Sequence, residues 1–153
     1  MSAEGAEIWF YHLERSSLDQ VLPELLEKTL GRGWRALVHV RDPGVLDALD
    51  ERLWTWRAES FLPHAKTVDG KSELQPILLT GTQDNANGAQ ALFLVDGGEI
   101  GDLSAYERCL VIFDGRDDAA VARAREQWKQ VKASGSTASY WRQTEEGGWS
   151  RAA

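Results

Sequence analysis

The stretch that decides the fold lies near the start of the chain and reads Glu7-Ile8-Trp9-Phe10-Tyr11-His12-Leu13. It is rich in β-formers and almost continuously apolar, which is typical of a strand buried in a parallel sheet. A capping box, Ser17-Leu18-Asp19-Gln20, follows shortly, and the apolar residues after it repeat at helical spacing. The pattern predicts a buried strand that leads into an amphipathic helix. Pro23 should kink that helix or move its start forward, and Gly31 or Gly33 should end it.

Strands and helices continue to alternate along the rest of the chain. Residues 34–40 form a second apolar run, with Asp42 as the N-cap and Pro43 as the first residue of the next helix. Further strands are predicted at 77–80, 91–95 and 108–113, a final helix at 118–134, and a last strand at 140–143 followed by a terminal turn. Residues 56–75 are expected to form a long irregular connection. This order predicts an α/β fold, a single Rossmann-like domain over 1–153 with a mainly parallel sheet flanked by helices.

Composition and length place the chain among ordinary globular proteins. It has 153 residues, of which 42% are hydrophobic and 27% charged, so it can bury a core without disulfides or metals. No apolar run approaches the roughly 18 residues of a membrane span, and the first residues lack the features of a secretory signal. We therefore expect a cytoplasmic protein. Cys109 lies alone in an apolar run and is expected to be a buried structural thiol.

Charge is distributed unevenly along the chain. The formal net charge of −7 argues against a general nucleic-acid binder. However, residues 119–153 hold six cations and three anions, whereas the preceding residues hold 11 cations and 21 anions. A cationic C-terminal region could bind an acidic ligand, or it could be a solvated helix face.

The last predicted helix carries two parallel stripes of side chains. The apolar seam consists of Val121, Ala124, Trp128 and Val131. The cationic stripe beside it consists of Arg125, Lys129 and Lys132. Cations next to an apolar slot suit a ligand with acidic residues and an apolar end, since arginine can bind a carboxylate through two hydrogen bonds. A solvated stripe is the alternative interpretation.

Residues suited to catalysis or cofactor binding are sparse. No glycine-rich phosphate loop follows the first strand, so no cofactor is expected. The three histidines, His12, His39 and His64, lack the spacing of a metal site or a catalytic triad and are expected to be hydrogen-bonded structural residues. Three aspartates that follow apolar strands, Asp96, Asp114 and Asp117, are either turn residues or ligands for a divalent cation. The second possibility would make the protein a metal-dependent phosphotransferase or nuclease.

An aromatic segment at residues 53–64 has neither helical nor strand periodicity. It reads Leu-Trp-Thr-Trp-Arg-Ala-Glu-Ser-Phe-Leu-Pro-His. Aromatic side chains in such a segment either fix the loop to its own core or anchor a partner protein.

The same segment resembles the chi subunit family of bacterial DNA polymerase III, in its order of Leu-Trp, a short gap and Glu-Ser-Phe-Leu-Pro-His. Blocks at residues 10–13, 75–80, 92–97, 112–115, 140–143 and 147–149 are similar to that family in order and approximate spacing. The resemblance extends over nearly residues 6–150.

This resemblance implies a non-catalytic accessory subunit without cofactor or metal. Such a subunit links the psi subunit, and through it the clamp loader, to the acidic C-terminal tail of single-stranded-DNA-binding protein. The implied psi-binding residues are Trp54, Phe61, Leu62, Pro63 and His64. The implied tail-binding residues are Arg125, Trp128, Lys129 and Lys132. Direct nucleic-acid contact is not required by this role, and Val121 stands where relatives can carry a lysine.

Overall fold

The computed structural model describes residues 6–54, 64–66, 75–146 and 148–153, with the backbone alone for Trp54, His64 and Ala65. The elements in chain order are β1 (Glu7–Leu13), α1 (Leu18–Gly31), β2 (Ala36–His39), α2 (Pro43–Trp54), β3 (His64–Lys66), β4 (Ile77–Thr80), β5 (Ala91–Leu94), β6 (Arg108–Asp114), α3 (Asp118–Ala133), β7 (Ala138–Gln143) and β8 (Trp149–Arg151). No helix within these segments is long and apolar enough to cross a membrane.

All the strands form one eight-stranded sheet in the order β3-β4-β2-β5-β6-β1-β7-β8. Every neighbouring pair is parallel except β7 and β8, which are antiparallel. The predicted α/β fold with a mainly parallel sheet flanked by helices is confirmed. Strand β1 lies between β6 and β7, which explains its almost continuous apolar sequence.

Helices pack on both faces of the sheet. Alternate residues of β1 contribute to different cores, because successive side chains of a strand point to opposite faces. Tyr11 and Leu13 belong to the core under α1 and α2, which we call the α1 face. Ile8 and Phe10 belong to the core under α3, which we call the α3 face.

The first helix shows how the structure accommodates Pro23. The helix begins at Leu18, so the expectation that the proline would move its start forward was wrong. Proline has no N–H to donate to the carbonyl four residues earlier, which belongs to Asp19. Arg52 of α2 instead donates its Nε–H to that carbonyl at 3.2 Å. The helix ends at Gly31, and Gly33 follows with a positive φ of 83°.

Two further expectations need correction. A short strand, β3, interrupts the connection expected to be irregular, and it pairs with β4. The rest of that connection, up to residue 74, lies outside the described residues. The expected terminal turn contains the strand β8, which forms a hairpin with β7. Both strands are only three residues long, so the sequence carries no periodicity that could reveal them.

Candidate partner-binding site

Helix α3 starts at a side-chain cap, and its buried side packs on the sheet. Asp117 is the N-cap, and its Oδ1 accepts the backbone N–H groups of Ala119 and Ala120 at 3.0 and 3.3 Å. Ala124 and Val131 are buried against the sheet, as the predicted apolar seam requires. The flank next to this seam carries the cationic stripe, which therefore faces solvent.

Trp128 is half-buried at the edge of this seam. Its ring meets those of Phe10 and Tyr140 edge to face, with centroids 5.5 and 5.7 Å away. The Nζ atom of Lys132 lies 5.5 Å from the Trp128 ring centroid, a cation–π contact. Arg125 is exposed one turn before Trp128.

Lys129 is also exposed, next to Trp128 in the sequence. The four predicted tail-binding residues, Arg125, Trp128, Lys129 and Lys132, thus occupy adjacent positions on the outer flank of α3. We call this surface the α3 patch.

Three residues of β1 and β7 extend this patch, and the sequence did not point to them. The imidazole Nδ1 of His12 shares a 2.7 Å hydrogen bond with the hydroxyl of Tyr140. Burial and then the charge of Arg142 lower the pKa of His12, and Arg125 lowers it further. Burial raises the pKa of Tyr140, against smaller opposing effects of Arg142 and Arg125. The charges of both guanidinium groups therefore act on the His12–Tyr140 pair.

Arg142 differs from the other cations because it has an acidic partner. Its Nη2 lies 2.7 Å from Oε1 of Glu14, and this hydrogen bond lowers the pKa of the Glu14 carboxyl. The pair is exposed enough for water to screen it. The positive field of the patch therefore comes mainly from Arg125, Lys129 and Lys132.

A buried glutamine fixes the turn after β1 to the end of β7. The Oε1 atom of Gln143 accepts backbone N–H groups from Glu14, Arg15 and Ser16 at 2.9, 2.8 and 3.1 Å. Its Nε2 donates to the Ser16 hydroxyl at 3.1 Å. This side chain holds the Glu14 backbone in place, and with it the partner of Arg142.

Gly115 is required by close packing of His12. A Cβ atom at position 115 would overlap the His12 ring and would lie 2.6 Å from the Leu13 carbonyl oxygen. Gly115 does not have a positive φ. The turn therefore needs a glycine here because a side chain would not fit, and not because the backbone is left-handed.

The three aspartates of the alternative metal hypothesis have structural roles. Asp96 accepts the backbone N–H groups of Arg41 and Asp42, and Asp117 caps α3. Asp114 accepts from the backbone N–H and the Nε–H of Arg116, which lowers the pKa of its carboxyl.

The three carboxylates border one cavity of about 270 Å³. Within the described segments, however, no group of three or more His, Cys, Asp or Glu side chains is arranged to hold a metal ion. The expectation that Asp96, Asp114 and Asp117 gather a metal ion for a phosphotransferase or nuclease was therefore wrong.

The predicted roles of the histidines and the cysteine are met in part. His12 is hydrogen-bonded, as expected. His39 is buried, but its Nδ1 has no hydrogen-bond partner among the described residues. Cys109 is fully buried, and this burial raises the pKa of its thiol to about 12. The side chain of His64 lies outside the described residues.

The residues implied for psi binding are mostly beyond what the structure describes. Trp54 is the last residue of α2, and His64 opens β3. Phe61, Leu62 and Pro63 lie outside the described residues, so their role in psi binding stays a prediction from the sequence.

Comparisons with known proteins identify the family. The family model described as "DNA polymerase III chi subunit, HolC" matches residues 6–139. The chain is 25% identical over 120 residues to "DNA polymerase III subunit chi" of Escherichia coli (strain K12), covering 78% of this chain and 82% of that protein. It is 23% identical over 103 residues to "Probable DNA polymerase III subunit chi" of Rickettsia prowazekii (strain Madrid E), covering 67% of this chain and 62% of that protein. The matched region runs from the start of β1 into β7, and the chain belongs to the DNA polymerase III chi subunit family.

Proposed function

We propose that this protein is a non-catalytic accessory subunit that links the psi subunit of the clamp-loader assembly to the acidic C-terminal tail of single-stranded-DNA-binding protein. The observation that supports the proposal most directly is the α3 patch. There the half-buried Trp128 is surrounded by the cations Arg125, Lys129 and Lys132.

The chemistry of the patch matches an acidic peptide with an aromatic end. Trp128 and Tyr140 expose part of their rings, which can pack against a terminal phenylalanine of the tail. Arg125 and Lys129 are exposed beside them and can bind the tail's carboxylates. Since Glu14 already pairs with Arg142, it competes little for these cations.

The sheet order supports simultaneous binding of two partners. Of the residues implied for psi, Trp54 ends α2 and His64 opens β3, which is one edge of the sheet. The α3 patch lies over β1 and β7, near the opposite edge. Two separate contacts raise the effective concentration of the clamp loader at coated DNA, so that each contact can remain weak enough to exchange.

Tail binding is tested by fluorescence anisotropy of a labelled acidic tail peptide at two salt concentrations. We expect saturable binding that salt weakens. The double variant Arg125→Ala/Lys129→Ala should weaken it on the order of tenfold, since each substitution removes a charged contact. The matched control is Lys28→Ala/Arg32→Ala, which removes two exposed cations from the last turn and the C-cap of α1, on the opposite face of the sheet. Equal losses in both variants, or no binding at high micromolar protein, would refute the assignment.

Psi binding is tested separately with Phe61→Ala. We expect this variant to lose co-elution with psi in size-exclusion chromatography, because truncation of an aromatic anchor typically costs about 2 kcal/mol or more. Its thermal melting should match that of the unmodified protein. A collapsed melting transition would instead assign Phe61 to the protein's own core.

A further inference from the structure

A second aromatic surface lies on the α1 face, on the opposite side of the sheet from the α3 patch. It consists of five partly or fully buried rings, which we call the tryptophan cluster: Trp9, Tyr11, Trp34, Trp141 and Trp149. The Trp9 and Trp141 ring centroids are 5.5 Å apart, and those of Tyr11 and Trp149 are 4.8 Å apart. All four tryptophans remain partly exposed, although burying a large ring is strongly favourable.

Guanidinium groups are layered between these rings. Arg108 lies 3.9 Å from the centroid of Trp9 and 5.2 Å from that of Trp34. Arg32 lies 4.3 Å from the Trp34 centroid. The result is a stack in which planar cations and aromatic rings alternate. It brings positive charge onto an otherwise apolar surface.

Arg108 is held only loosely by protein acceptors. Its side chain is 14% exposed, and its Nε is buried without a hydrogen-bond partner among the described residues. The nearest acidic group with a recorded contact is Glu7, whose Oε1 is 3.5 Å from Nη2. That distance is at the limit of a hydrogen bond, so Glu7 neutralises the charge of Arg108 only in part.

An open cavity of about 350 Å³ lies beside this stack. Leu25 and Leu110 contribute apolar surface, and Trp9, Trp141 and Trp149 line it with rings. The cations bordering it are Lys28, Arg32 and Arg108. The cavity therefore combines flat aromatic walls with a positively charged border.

We propose that this cavity binds single-stranded nucleic acid, with bases stacking on the tryptophan cluster and phosphates contacting Lys28, Arg32 and Arg108. Stacking platforms bordered by cations are how proteins bind single strands without reading sequence. A duplex does not fit the same site, because its bases are already stacked inside the helix. The net charge of −7 disfavours nucleic-acid binding by the surface as a whole, but Lys28, Arg32 and Arg108 gather positive charge at this one cavity.

An acidic peptide is a less suitable occupant for this cavity. A tail with one aromatic end needs a single slot, whereas four rings from β1, β7 and β8 line this cavity. The proposed tail bridge does not require direct contact with nucleic acid. The two proposals can therefore fail independently.

The test is fluorescence anisotropy with the full chain and a labelled oligothymidine of about 15 nucleotides, which covers the usual site size. Labelled oligouridine of the same length shows whether the site distinguishes DNA from RNA, and a duplex of the same length is the third probe. We expect both single strands to bind more tightly than the duplex. Lys28→Ala/Arg32→Ala should weaken single-strand binding about fivefold or more. Losing two phosphate contacts should also reduce the slope of log K against log salt by about 1.4.

Trp149→Ala tests stacking separately from charge and should weaken single-strand binding about tenfold. The far-ultraviolet circular dichroism of Trp149→Ala must match that of the unmodified protein. If Trp149→Ala does not fold, the Lys28→Ala/Arg32→Ala variant still tests the proposed site. The control Arg125→Ala/Lys129→Ala should bind oligothymidine normally.

Three results would overturn the proposal. They are no saturable binding of either single strand, duplex binding as tight as single-strand binding, and a loss of tail-peptide binding in the Lys28→Ala/Arg32→Ala variant with oligothymidine binding unchanged.

Discussion

Replacing Gln143 by methionine should destabilise the protein substantially without leaving a cavity. The two side chains are similar in size, but methionine offers no strong acceptor to the three backbone N–H groups that now bond Oε1. A net hydrogen bond contributes about 0.5–1.5 kcal/mol, and a donor left buried without a partner costs more. These N–H groups are partly buried, so water can replace some of the lost acceptors. We therefore expect a loss of about 2–4 kcal/mol in the free energy of unfolding.

Equilibrium urea denaturation measures this loss, and the m-value should stay constant if only stability changes. Thermal melting should shift down by about 4–16 °C for a chain of this size. Gln130→Met is the matched control, because Gln130 is exposed on α3 and its change should stay within about 0.5 kcal/mol. A loss below about 0.5 kcal/mol for Gln143→Met would show that the turn after β1 does not depend on this side chain.

Three further predictions concern single positions. Gly115→Ala should lower the free energy of unfolding by about 1–3 kcal/mol, because the added Cβ overlaps the His12 ring. The control Gly31→Ala should not lower it, because the space around Gly31 is open. Equal melting temperatures of the two variants would contradict this prediction. Burial holds the pKa of His12 below 6.5, so the unfolded chain takes up that proton more readily and stability should fall as pH drops through 6.5 toward the folded pKa. An NMR titration midpoint above 6.5 would reverse that sign. Cys109 should react with a thiol reagent at pH 8 only after denaturant is added, and rapid reaction of the native protein would show that it is accessible.

Local sequence signals predicted most of the helices and strands along the chain. The capping box at Ser17, Pro43 as a first helical residue and the apolar seam of α3 depend on neighbours within one or two turns. Such signals can be read from one chain because they act over short distances. The strand order could not be read in the same way, since it depends on contacts between residues far apart in the sequence.

The candidate site shows the same division. The spacing of Arg125, Lys129 and Lys132 on one helix predicted their common stripe. His12 and Tyr140 meet only because β1 pairs with β7, across 128 residues of chain. Arg142, on the same strand, reaches Glu14 through that pairing as well. The periodicity within either strand does not predict these contacts.

The contact between Gly115 and the His12 ring has a consequence for related sequences. Because one position supplies the ring and the other supplies the space, neither can change freely on its own. Substitutions at the two positions should therefore covary: a homologue with a side chain at position 115 is expected to carry a residue smaller than histidine at position 12. Such a homologue would lose the hydrogen bond between His12 and the Tyr140 hydroxyl, and the Tyr140 ring would gain rotational freedom. Sequence variation at a glycine outside the α3 patch would thus mark where that patch has diverged.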